Sequence, residues 1–217
     1  MRRNDILSKP RLRGVSHKWA AIVCVPLGIA MIAAANGARA HVAIGIYAVS
    51  VVALFAVSST YHRINWRTAA ARQRMRRLDH TMIFVMIAGS YTPIALLVLH
   101  GTLATSILIA IWVGAIIGAT VSLAWPTSPT WLDTCIYIAL GWIAAIAIPQ
   151  IVSSLDVTAL ILLALGGALY SVGAIIYATR RPDPNPAVFG YHEVFHALVI
   201  AAAGIQYAVI AFWVLPR

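Results

Sequence analysis

Seven apolar stretches fill most of this 217-residue chain, and they constrain its fold more than any other feature. They fall at about 19–36, 41–62, 79–99, 102–125, 131–150, 156–179 and 191–214, most of them close to the roughly 20 residues a helix needs to cross hydrocarbon. Only 10% of the residues are charged and 61% are hydrophobic, with a mean hydropathy of +0.86. A soluble domain carries about a quarter charged residues, so this chain is built for a bilayer. In hydrocarbon every backbone polar group must be paired within the chain, which leaves helices or a closed barrel. Runs of this length and without alternation specify helices. The expected fold is an all-α, seven-transmembrane-helix bundle formed by residues 19–217 behind a basic arm, residues 1–18.

The positions of the charges orient that bundle. Lys and Arg number sixteen against six acids. With the amino terminus in the cytoplasm, fourteen of the sixteen lie on the inner side: Arg2, Arg3, Lys9, Arg11, Arg13 and Lys18 in the arm, six arginines between Arg63 and Arg77, and Arg180 with Arg181. Only Arg39 and Arg217 fall outside. This is the bias expected when positive loops stay inside, and seven spans then put the carboxyl terminus outside. The net charge of +10 therefore reports topology and attraction to anionic lipid, and not a nucleic-acid surface.

Other punctuation refines the picture. Ala38-Arg39-Ala40 after the first segment resembles a signal-peptidase site, but the apolar run is longer than the usual 7–15 residues. Pro26 and Pro93 are expected to kink their helices, and the Gly114/Gly118 pair to bring two helices close. The residues from Arg180 to Gly190, with Pro182, Pro184 and Pro186, read as an extended inner loop. No internal repeat is visible, which disfavours a transporter built from duplicated halves. Cys24 and Cys135 lie in apolar runs and form neither a disulfide framework nor a cysteine zinc site.

Candidate chemistry lies at the inner ends of three helices. His192 and His196 are four residues apart, so one helix face presents both imidazoles to one point. Zinc needs at least three protein ligands, and the second and third spans end nearby at His62 and Asp79. Ser58 lies one turn above His62 on the same face, and Ser90 falls on the face of Asp79, roughly 16 Å deeper. Each residue has a plainer role when taken alone: an interfacial histidine, a first-turn acid, a small packing serine. Their shared depth points to a metal site, because ionisable groups in spans are costly and usually face the bundle interior. His80 competes for a ligand role. Glu193 turns off the His192 face and is suited to cap its helix, and Asp133 is structural or supports the site. His17 is assigned to the arm, and His41 and His100 to the outer ends.

Ser58-Ser59-Thr60-Tyr61-His62, Arg77-Leu78-Asp79-His80 running into Ser90-Tyr91-Thr92-Pro93, and His192-Glu193-Val194-Phe195-His196 resemble the three signature motifs of the hemolysin III family. That family is the bacterial branch of the progestin and adipoQ receptors, in a superfamily that includes alkaline ceramidases. The resemblance implies a seven-helix protein of the bacterial inner membrane with zinc near the inner leaflet, held by His62, His192 and His196, with Asp79 and Ser58 as the motif acid and serine. The activity expected from it is zinc-dependent hydrolysis of a membrane lipid amide, with Asp79 as general base and Ser58 orienting water or the oxyanion. The alternative is a non-enzymatic regulator of membrane lipid state with a structural zinc. A cytolysin fits a resident seven-span protein poorly. Membrane lipids are the expected partners, and imidazole ligands also admit other divalent metals.

Overall fold

The computed structural model describes residues 10–125 and 130–216; Arg2, Arg3, Asp5, Lys9 and Arg217 lie outside the described residues. The chain forms α1 (Val15–Ala34), α2 (Gly37–Arg63), α3 (Ala69–Leu97), α4 (Gly101–Ala124), α5 (Thr130–Gly141), a 3₁₀ turn (Ile143–Ala147), α6 (Ile148–Ser154), α7 (Val157–Thr179) and α8 (Tyr191–Val209), which ends in a π-helical turn, Ile210–Val214. With α5, the 3₁₀ turn and α6 taken together, seven helical units among the described residues are long and apolar enough to cross a membrane. Many large hydrophobic side chains face outward, among them Trp19, Ile29, Val49, Ile117, Ile161 and Phe212, as hydrocarbon solvation requires.

The sequence expectation and the structure differ at α3. Ala69 to Leu78 read as part of a charged connection, yet the helix begins at Ala69, where the Thr68 hydroxyl accepts from the Ala71 amide. Hydropathy marks where a helix enters hydrocarbon, whereas a capped helix can continue into water. Arg72, Arg74, Arg76 and Arg77 therefore ride on about two turns of helix preceding Asp79, and the Arg77 guanidinium reaches the Leu123 carbonyl near the end of α4.

The fifth span is broken. Ordinary helix stops at Gly141, and Pro149, which has no amide hydrogen, stands in the first turn of α6. A side chain from α3 splices the gap: the Tyr91 hydroxyl donates to the Gly141 carbonyl at 2.6 Å and accepts from the Ala144 amide at 2.8 Å. Neither Pro26 nor Pro93 ends its helix. Gly114 and Gly118 do mark close approach: a Cβ on Gly114 would stand 2.5 Å from Leu140, and one on Gly118 would overlap the Phe84 ring. The loop expected to be extended is folded instead, with Asn185 and Phe189 paired main chain to main chain.

Two apolar clusters fill the bundle, one centred on Phe84, Ile111 and Leu99 and the other on Tyr47, Phe55 and Ile44. The last two helices are closed at the end remote from His192. There Asp156 caps α7 by accepting from the Ala159 amide at 2.9 Å, and its other oxygen accepts from the Trp213 indole at 2.6 Å.

Candidate metal centre

The end of α2, the first part of α3 and the start of α8 meet at one end of the bundle. Glu193 sets the start of α8: its carboxylate accepts from the Gly190 amide at 2.8 Å and pairs with the Arg13 guanidinium. The helix so placed carries His192 and His196 inward, while His62 arrives from the last turn of α2. The candidate ligand atoms of these three residues lie within 4.8 Å of one another, and all three side chains are buried. The Nε2 atoms of His62 and His192 are 3.1 Å apart. Two nitrogens bound tetrahedrally to one zinc at about 2.0–2.1 Å would stand roughly 3.3 Å apart, so this pair fits the ion closely. Three buried imidazoles so placed could hold a divalent metal ion, and zinc is among the metals that accept such donors.

Asp79 stands beside the triad. One of its oxygens is 3.7 Å from His62 Nε2, and the Ser58 hydroxyl faces the same carboxylate. The five residues expected from the sequence are thus brought together, three as a histidine cluster and two at its edge. His80, one residue on from Asp79, turns away: its Nε2 is 3.4 Å from the Tyr177 hydroxyl, and it is not part of the triad. Asp133 is buried and lines the adjoining cavity. His41 and His100 are exposed at the other end.

One residue escaped the sequence reading. His17, assigned to the arm, lies in the first turn of α1 and is only 2% exposed. Its ring stacks on that of His196, with centroids 3.6 Å apart and planes 12° from parallel. The sequence signal available was a histidine at the head of an apolar helix. Its destination depends on how α1 docks on α8.

From the triad a cavity of about 440 Å³ runs into the bundle between α3, α5, α7 and α8. Its near end is bordered by Ser58, Asp79 and His192, and its walls by Ile83, Ile87, Ile138 and Leu163. Ser90 lines it too, with its hydroxyl bonded to the Ile87 carbonyl. Gln206 lies on the histidine face of α8, ten residues from His196 and so about 15 Å along the axis. Its side-chain oxygen and the Tyr170 hydroxyl are buried and lack a hydrogen-bond partner among the described residues. The wall includes Trp142, Ile148 and Val152, which are also exposed on the outer surface of the bundle. The size suits a small amphiphile.

These features define a multi-pass membrane protein with a buried histidine triad opening on an apolar cavity. The Haemolysin-III related family matches residues 6–207, and the chain belongs to that family. It is 32% identical over 205 residues to Hemolysin-3 of Bacillus cereus, a match covering 93% of this chain and 90% of the relative. The Hemolysin-3 homolog of Bacillus subtilis (strain 168) is 30% identical over 202 residues, with 92% and 91% covered. A more distant relative is the Monocyte to macrophage differentiation factor of Homo sapiens, 27% identical over 166 residues, or 75% of this chain and 66% of that protein.

Proposed function

We propose that this protein is a zinc-dependent hydrolase of a membrane lipid amide, working at the cytoplasmic leaflet of the bacterial inner membrane. The observation that carries the reading is the junction of three buried imidazoles and an adjacent carboxylate with the head of an apolar cavity. Three protein ligands leave a fourth position for water or substrate, the pattern of catalytic and not of structural zinc sites. A zinc ion held by His62, His192 and His196 would supply Lewis-acid activation of that water and of the scissile carbonyl. Asp79 accepts the proton of the attacking water and returns it to the leaving amine. Ser58 holds the carboxylate in place and is the nearest hydroxyl for the developing oxyanion. The apolar walls take the acyl chain. The orientation rests on the arginines of α3 and of the α2–α3 connection, which lie at the triad end and belong inside.

The test is turnover of a panel of lipid amides and esters by purified, zinc-loaded protein, wild type beside Asp79→Asn. Hydrolysis by wild type that falls about 10²- to 10⁴-fold in the variant, with zinc content unchanged, is the expected result. Retained zinc with no cleavage of any lipid by wild type counts against the enzyme.

The depth of the triad favours a second reading, a regulator of membrane lipid state. His196 is only 1% exposed, and the triad joins α2 to α8, so the ion would serve as a tie between helices. In that case Asp79→Asn keeps both zinc and its effect on membrane composition in cells.

A further inference from the structure

The segment from Pro10 to His17 runs across the end of the bundle where the triad lies. Its main chain is fastened to the loop before α8, with the Arg11 amide donating to the Ala187 carbonyl at 3.0 Å and the Leu12 amide to the Val188 carbonyl at 3.2 Å. Arg13 then pairs with Glu193, which is 2% exposed and sits between the two α8 histidines in sequence. Gly14 follows with φ of 74°, a conformation that disfavours any residue with a Cβ. A Cβ there would also stand 2.6 Å from the His62 Cβ, so the main chain passes directly over the α2 ligand. The segment ends at His17, stacked on His196 and edge-on to Phe55 at 4.9 Å. The contact that distinguishes His17 is ring to ring, its plane lying on that of His196.

We propose that Pro10–His17 is a strap belonging to the histidine site, in which His17 is a positioning residue for His196 and the Arg13–Glu193 pair latches the strap over the triad. The strap touches or flanks all three members of the triad: Gly14 covers His62, Arg13 is tied beside His192, and His17 lies against His196. A ring stacked in parallel at this distance fixes the tilt of the imidazole beneath it, and such ring pairs contribute beyond simple area burial. A half-buried ion pair holds the latch, and loss of Arg13 leaves the buried Glu193 charge without that partner. Exchange of metal and water at this end is therefore limited by how often the strap lifts. The first readout below rests on the zinc reading of the triad; the second does not.

The experiment compares zinc-loaded wild type with His17→Ala, His17→Phe and Arg13→Gln in detergent, with monodispersity checked by gel filtration. Zinc release is followed after addition of excess chromogenic chelator. Release about tenfold faster in His17→Ala and Arg13→Gln is expected, with the starting stoichiometry unchanged and near-wild-type release from His17→Phe, which keeps an aromatic face. Equal rates in all four proteins overturn the proposal, and so does a Phe variant as fast as the Ala variant, because the ring nitrogens would then be what matters. If His17→Ala does not yield monodisperse protein, Arg13→Gln and His17→Phe decide alone. If wild type takes up no zinc, the metal reading fails, and carbethoxylation of His62, His192 and His196 read by mass spectrometry decides the strap. Faster labelling in Arg13→Gln supports it, and equal labelling overturns it.

Discussion

Replacing Tyr91 with Phe removes one oxygen atom from the splice in the fifth span and nothing else. In the native chain that oxygen satisfies two main-chain groups at the break, the Gly141 carbonyl and the Ala144 amide. Phe keeps the ring and its packing, so no cavity forms, and the cost is that of two backbone groups stranded in apolar surroundings. An unsatisfied buried group costs about 1–3 kcal/mol in water-soluble proteins, while side-chain hydrogen bonds within a bilayer average about 0.6 and reach about 1.7. Two bonds at the membrane scale give about 1–3 kcal/mol, a few degrees in Tm for a chain of this size. The assay is thermal unfolding in detergent, with Tyr47→Phe as control. Tyr47 is 1% exposed, but its hydroxyl has no hydrogen-bond partner among the described residues, so the same atom is removed without stranding anything. Tyr47→Phe should leave Tm unchanged or raise it. A Tyr91→Phe protein as stable as wild type, or the two variants behaving alike, would refute the splice.

Three further outcomes follow from the packing and the site. Gly118→Val drives a side chain into the Phe84 ring and should cost about 1–3 kcal/mol in thermal unfolding, the range of overpacking in a filled core. His80→Phe should bind as much zinc as wild type by elemental analysis, because its ring is turned to Tyr177; loss of zinc would bring His80 into the site. Asp156→Ala removes both a helix cap and the partner of the Trp213 indole. It should cost about 1–3 kcal/mol, read by thermal unfolding together with a change in Trp emission.

The residues that carry the site were legible because their constraint is periodic and topological. His192 and His196 share a face by spacing alone, and the even number of crossings between the end of the second span and the start of the seventh brings His62 to the same end. The seven spans were legible for the same reason, since hydrocarbon thickness is a length that apolar runs must match. What escaped notice depends on docking or on single atoms. His17 is an ordinary histidine until α1 leans on α8 and stacks it. The break at Gly141 lies inside an unbroken apolar run, and the hydroxyl that mends it comes from fifty residues earlier in the chain. The early start of α3 was hidden because hydropathy detects lipid contact and not helix.

The clamp formed by Asp156 has a mechanical meaning for the site at the other end. With Trp213 tied to the cap of α7, the last two helices are joined at one end, while α8 carries His192 and His196 at the other. His62 belongs to a different body, packed with α1 and α3. The separation of the triad nitrogens is thus a gauge of the angle between α2 and α8. An ion held by all three would resist any spreading of that angle, and by reciprocity a change in lateral pressure or bilayer thickness that spread it would weaken the grip on the ion.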